Sequence, residues 1–422
     1  MPILRRSIVS AVLLLVAVGA RAEAPRLLGF VRLEGRSFDA TPSWLDSGFG
    51  KLGGGRRPTG TSDPSALAEG RLALDFEPAV GWRLFVHGVA HTGDAGASSA
   101  GSGLLEAFAE LHRGFGEGHE LALRAGEFFL PASRENVEPL WSSPYTLTLS
   151  ALNTWIGEEV RPLGLDAIWS RTFADDHRVA FGATLFEGND TAGVLLAWRG
   201  FALHDRPTPF ARYLPLPPFP GAAERFPSQS RHGTQPFQRD LDGRPGFAGR
   251  AVWSAPDLGA GGLRLQATSW RNRGDRALHG DEYAWDTGFD WLGLDAGLPG
   301  GLRLVTEWGH GTSRMGAPSG VARAQVDIAF TAFYALLTRE WGPTRCTVRY
   351  DRFTVRDEDR LPLDDNREHG SGWTAAALVR LGERWRVAVE VLDLEAERPA
   401  AARVGAPEPS GRSLRSELRF TF

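Results

Sequence analysis

Ser413-Leu-Arg-Ser-Glu-Leu-Arg-Phe-Thr-Phe422 alternates from end to end. Leu414, Leu418, Phe420 and Phe422 share one side with Ser416, while Arg415, Glu417, Arg419 and Thr421 take the other. Successive side chains of a strand point to opposite faces of a sheet, so this stretch reads as a strand with one apolar and one charged face. The same rhythm runs back through the chain. Leu72, Leu74 and Phe76 oppose Glu69, Arg71, Asp75 and Glu77; Leu121 and Leu123 oppose Glu120 and Arg124; Leu263 and Leu265 oppose Arg264 and Gln266. Further on, Leu302, Leu304 and Trp308 oppose Arg303 and Glu307, and Trp385, Val387, Val389 and Val391 oppose Arg386 and Glu390. These segments run to about 10–12 residues, longer than the usual strand of about 5–6 and matched to the roughly 9–11 that a tilted membrane strand needs.

Composition narrows the class. The 422 residues carry 47 Lys+Arg against 51 Asp+Glu, without the basic excess of a nucleic-acid protein. Cys346 is the single cysteine, which excludes an internal disulfide and any cysteine-cluster metal site. Lys51 is the only lysine, so nearly every basic residue is arginine. The longest uninterrupted apolar run after residue 25 is Ala332–Leu337, far short of the roughly 20 residues of a membrane-spanning helix.

Arg5 and Arg6, the apolar stretch Ile8–Val18 and the small-x-small triplet Ala20-Arg21-Ala22 have the order of a secretory signal peptide. The expectation is cleavage after Ala22, leaving 23–422 as one exported domain. No cysteine stands at the cleavage point, which excludes a lipoprotein.

Sixteen strands are expected, near 27–36, 67–77, 82–92, 104–113, 119–129, 160–173, 178–187, 246–256, 262–272, 284–295, 301–311, 323–339, 343–356, 371–381, 384–397 and 412–422. Short breaks alternate with long ones, the longest at 37–66, 130–159 and 188–245. Short turns on one rim and long loops on the other are the pattern of an outer-membrane β-barrel, whose strand number is even. Val194–His204 is a candidate extra strand, but six prolines between Pro207 and Pro220 deny the following stretch a sheet ladder. It is therefore read as a helix or folded piece within a loop. Trp82, Trp285, Trp291, Trp308, Trp373 and Trp385 lie near strand ends and are expected to form interfacial girdles. The fold class is thus all-β, a transmembrane antiparallel barrel of about sixteen strands in the bacterial outer membrane, wide enough for an aqueous lumen.

The terminal strand, with Leu418, Phe420 and Phe422 on its apolar face, resembles the signal that outer-membrane proteins present to the barrel-assembly machinery. Arg124-Ala-Gly126-Glu-Phe128-Phe-Leu-Pro131, where the fifth strand gives way to a long loop, resembles a segment of the phosphate-selective porin O and P family. That resemblance implies a sixteen-stranded barrel, a homotrimer, a third loop folded into the lumen, and passage of anions past a ladder of arginines. The chain departs from the family pattern in reading Pro131-Ala132-Ser133 and in having almost no lysine. Ser150–Arg161 looks like a subgroup signature with no assignable role.

If the charged faces point inward, Arg71, Arg83, Arg124, Arg264, Arg303, Arg345, Arg349 and Arg386, with Asp286, Asp290 and Glu307, line the pore. Interleaved signs pair across strands and hold water, whereas single-sign rings select ions. Asp286, Asp290, Glu307 and Asp327 facing Arg345, Arg349, Arg380 and Arg386 would set up opposed walls. The function expected is a porin for passive diffusion of small hydrophilic solutes or ions, phosphate-like anions among them. The alternatives are a channel for hydrophobic or aromatic compounds, marked by Trp141–Tyr145, Trp155 and Phe210–Phe219, and a surface receptor or adhesin built on the loops. His87 and His91, four residues apart on a strand, lie about 13 Å from each other, too far for one metal, and no Gly-x-Ser-x-Gly elbow occurs. No catalytic residue, cofactor or metal is expected, and the partners are lipid, the assembly machinery and the solute.

Overall fold

The computed structural model describes residues 24–55, 65–92, 101–318, 323–359, 361 and 364–422. The leader expected over 1–22, with Ala20 and Ala22, lies outside them. Sixteen strands form one closed antiparallel barrel. They are β1 Arg26–Ala40, β2 Ser65–Phe76, β3 Trp82–His91, β4 Gly101–Phe115, β5 His119–Glu127, β6 Leu163–Thr172, β7 Arg178–Glu187 and β8 Gly246–Ala255. There follow β9 Leu263–Arg271, β10 Asp286–Leu298, β11 Leu302–Met315, β12 Val326–Trp341, β13 Thr344–Asp357, β14 Glu368–Leu381, β15 Trp385–Glu397 and β16 Gly411–Thr421. Each pairs with its chain neighbours, and β1 closes on β16 in a register from Phe30↔Thr421 to Ala40↔Gly411. Both the class and the strand number agree with the alternation.

Seven short turns sit on one rim. The tightest is Gly342-Pro343 between β12 and β13, where Gly342 takes φ 55°, a left-handed value that glycine adopts without a Cβ penalty. The other rim carries the long connections. Val194–His204 forms no barrel strand; its first residues make the short helix α2, Val194–Trp198, after α1, Ala151–Glu159, in the preceding long connection. Among the described residues no helix is long and apolar enough to cross a membrane; the strands do so.

The wall has two faces. Phe181, Leu292, Val348, Val391 and Leu414 are about half exposed on the outside, a lipid-facing apolar band. Arg32, Glu69, Arg349, Asp351, Glu390 and Glu417 point inward and are buried. Trp308, Trp373 and Trp385 stand on the outer surface as expected, joined there by Trp341. Trp285 and Trp291 do not: both are buried in the interior.

The β10 phase explains that correction and a second one. Thr287, Phe289, Trp291, Gly293 and Asp295 are its buried, inward set. Asp286 and Asp290, expected to line the pore, therefore lie on the outward side, where Asp290 pairs with Arg271 at 3.0 Å near the loop rim. Asp327 also has outward parity and bonds Arg314. Of the four acids expected to form one wall only Glu307 faces in, so the opposed walls do not exist.

Candidate functional site: a lumen crossed by two loops

The segment after β5 turns inward at once. Gly126 has φ 137°, and the Ala107 carbonyl lies where a Cβ would stand. Arg124 donates to Glu110 at 2.7 Å and covers the Phe108 ring at 4.5 Å, while Phe128 meets the same ring edge-on. The likeness carried by Arg124–Pro131 thus has a mechanical content: a backbone without side chain at the bend, braced by an arginine on aromatic faces.

From there residues 128–162 cross the barrel, and the wall satisfies their main chain. The Gln266 amide of β9 donates to the Ala132 carbonyl, and Glu307 of β11 accepts the Arg134 N–H at 2.7 Å. On the far side Arg71 of β2 donates to the carbonyls of Leu140 and Trp141 at 2.9 and 3.0 Å. Arg345 and Arg349 of β13 reach Pro144 and Thr148 at 2.7 and 2.6 Å. Arg415 of β16 bonds the Leu147 carbonyl, and Glu390 of β15 accepts the Thr148 N–H at 3.1 Å. A buried backbone must pair every N–H and C=O. An irregular crossing chain offers both, so the wall needs arginines for the carbonyls and carboxylates for the amides. That is why its charges are mixed.

The crossing ends in α1, buried along its whole length. Ser150 caps it by accepting the Asn153 N–H at 3.2 Å, and Asp351 accepts the Ala151 N–H at 3.1 Å where the helix dipole favours an anion. Asn153 donates to Glu307 and Glu135 at 2.6 and 3.0 Å. Trp155 stands edge-on to Phe289 and Phe330, each 5.0 Å away. These rings pack on one another, making an apolar core inside the barrel.

A second layer comes from the β7–β8 connection and residues 41–55. Glu158 accepts both terminal nitrogens of Arg199 at 2.8 and 2.6 Å and lies 2.9 Å from His204. Burial alone would raise its carboxyl, but Arg199 and His204 outweigh this and hold it down to about 2. Glu159 beside it has no cation partner among the described residues. It accepts N–H groups from Trp155, Gly193 and Leu195 at 2.7–3.1 Å, and burial pushes it up to about 7. Lys51 donates to the carbonyls of Arg199 and Phe201 at 3.0 Å each and pairs with Glu368. Its burial draws the ammonium down to about 8. Asp205 joins both layers to the wall through Arg415 at 2.9 Å.

The structure places Arg71, Arg83, Arg124, Arg264, Arg303, Arg345, Arg349, Arg386 and Glu307 on the inward face. Toward the short-turn rim, cross-strand pairs dominate: Arg83 with Asp75 at 2.8 Å, Arg303 with Asp295 at 2.6 Å, Arg386 with Glu417 at 2.8 Å. Leu418 and Phe422 face outward, and Phe422 exchanges backbone bonds of 2.9 and 3.0 Å with Gly29 at the barrel seam. His87 bonds Glu106 and His112 bonds Glu110, so the histidines serve separate carboxylates. Asp190, Asp240 and Asp242 converge within 4.8 Å, and they accept loop N–H groups from Leu241, Gly243 and Asp275. Sequence reading missed Glu135, Glu158, Arg199 and Asp205, the loop ends of the network. Their signal was present as charges set among aromatic residues in segments too long to be turns.

No protein-family model and no curated protein matches the chain. Solved structures do. The outer-membrane channel DcaP of Acinetobacter baumannii is 12% identical with a TM-score of 0.55, covering 96% of this chain and 99% of that one. An anion-selective porin from Comamonas acidovorans is 11% identical with a TM-score of 0.52, covering 95% and 100%. OprB of Pseudomonas putida is 11% identical with a TM-score of 0.50, covering 94% of each. The likeness is one of fold: this chain has the sixteen-stranded barrel of porin-like proteins, and its place is the bacterial outer membrane.

Proposed function

We propose that the protein is a channel through which small hydrophilic solutes cross the outer membrane by passive diffusion, narrowed by residues 128–162. The observation that carries this reading is the fastening of that segment to β2, β9, β11, β13, β15 and β16 by side chains of both signs. A bore restricted by polar contacts of both signs to loop backbone suits a weakly ion-selective channel of small conductance better than a wide open one. The likeness of Arg124–Pro131 to the phosphate-selective porin O and P family supports a channel. Phosphate selectivity gains no support from Arg71, Arg345 and Arg349, which are committed to carbonyls and carboxylates. Assembly as a homotrimer belongs to this reading and is measured by light scattering of the detergent complex.

The aromatic alternative is not favoured, because Trp155 and its neighbours pack on each other rather than lining a passage. The surface-receptor alternative is weakened by loops that fold inward.

The test is conductance of the refolded chain in a planar bilayer under a salt gradient. Small stepwise openings with a reversal potential near zero are expected. Silence of protein shown to be folded by heat-modifiable mobility would overturn the proposal, and strong exclusion of one ion sign would replace the mixed-wall reading by a selective one.

A further inference from the structure

On the short-turn side of the crossing segment the lumen holds two arginines that its carboxylates leave unmatched. Arg134 of that segment is 7% exposed, and Arg264, near the start of β9, is half-buried. Each lies within electrostatic reach of the other, and among the described residues neither guanidinium bonds an acceptor. We propose that the pair binds a small divalent oxyanion, such as sulfate, hydrogen phosphate or a short dicarboxylate, within the lumen.

Three features carry the assignment. The acids at hand are already committed. Asp295 faces Arg264 in the β9–β10 register, yet it pairs with Arg303 at 2.6 and 2.8 Å. Glu307 accepts the Arg134 N–H at 2.7 Å and the Asn153 amide at 2.6 Å. Arg178, a further cation within reach, has its own carboxylate in Glu120 at 3.0 Å. Two positive charges are left over where an unpaired charge is costly. Second, the forks are open. Of the side-chain nitrogens of Arg134 and Arg264 only each Nε is sealed from solvent. The remaining N–H groups match two oxygens of one anion, on a group that keeps its charge at neutral pH. Third, the site is built. Gly293 of β10 leaves room for the Arg134 stem, whose Cγ lies 3.0 Å from where a Cβ would stand. Glu307 meanwhile fixes the Arg134 main chain. The guanidinium is thus positioned without being neutralised.

The inference rests on the channel reading only for the route by which the anion arrives. Occupied by a divalent anion the pair is neutral, which agrees with weak ion selectivity. The experiment is isothermal titration calorimetry of the detergent-refolded full chain at low ionic strength, with sulfate, malonate and chloride. Sulfate, malonate or both should bind at one site; sulfate alone identifies a compact tetrahedral anion, malonate alone a dicarboxylate. Chloride should bind about tenfold or more weakly, since it cannot engage two forks. Arg134→Gln and Arg264→Gln should each weaken dianion binding by about tenfold or more. Without dianion, Arg264→Gln should leave the thermal midpoint unchanged or raise it, because it removes a like charge and no bond. Heat-modifiable mobility verifies that each variant is folded. Absence of binding by both dianions would overturn the proposal. So would binding that both substitutions leave unchanged, chloride binding of equal strength, or a lowered dianion-free midpoint of Arg264→Gln. A folded chain that binds sulfate yet passes no current would uphold the site and overturn the channel reading alone.

Discussion

Arg349 on β13 donates from Nη1 to the main-chain oxygen of Thr148, 2.6 Å away and 201 residues earlier in the chain. The same guanidinium bonds Glu135 at 2.8 Å and Asp351 at 2.7 Å. It therefore joins the wall to the crossing segment through both backbone and charge. Arg349→Ala would leave two buried carboxylates without their cation, a loss of about 3–5 kcal/mol. The expected outcome is a lower temperature of heat-modifiable unfolding together with larger single-channel steps, since the crossing segment is no longer tied. Unchanged steps in a folded variant would count against that segment as the constriction.

Gly126 makes the inward bend. Alanine there meets the Ala107 carbonyl and must adopt φ 137°, at a cost of about 1–3 kcal/mol in strain. Gly126→Ala should lower the yield of folded barrel and its thermal midpoint, whereas Gly249→Ala, with open space around the site, should change neither.

Glu159 gives the stability a pH dependence. Its carboxyl is raised to about 7 by burial in the folded protein, against about 4.5 when unfolded. Between these values the folded state keeps a proton that the unfolded state releases, so stability falls as pH rises from about 4.5 to 7 and levels off above. The amplitude is on the order of 3 kcal/mol. Thermal midpoints at pH 5 and pH 8 should differ in that direction, and Glu159→Gln should flatten the profile. A midpoint rising over this interval in the parent chain, with the rise removed by Glu159→Gln, would contradict the sign.

Trp155 anchors α1 against Phe289 and Phe330 and is fully buried. Trp155→Ala should cost about 3–5 kcal/mol through the cavity it leaves. Differential scanning calorimetry of the detergent complex reads this directly; a midpoint within a degree of the parent would show that the core inside the barrel is loosely packed.

Much of the architecture was legible in the sequence. Ser413–Phe422 and its counterparts state which side of each strand meets lipid, because hydrocarbon tolerates no unpaired charge, and the prolines after Pro207 state where the ladder stops. The inner face was harder to read. Charge was assumed to mean inward, an inference that holds while water fills the lumen. Here folded chain takes up part of it, so Phe289 and Trp291 can face in against that chain, and near the loop rim Asp290 can face out beside Arg271. One sequence does not show which residues a loop will meet once it folds inward, since Arg349 and Thr148 are brought together only by barrel closure.

The burial of Lys51 reaches beyond the fold. It is the only lysine in the chain, and its ammonium is held inside by two carbonyls and Glu368. The folded barrel offers acylating dyes, aldehyde fixatives and lysine-directed proteases no side-chain amine at its surface. Cell-surface labelling through lysine would pass this protein by, however abundant it was. The same property turns a chemical silence into a signal: covalent tagging of Lys51 reports that the interior has opened, with no other lysine to contribute background.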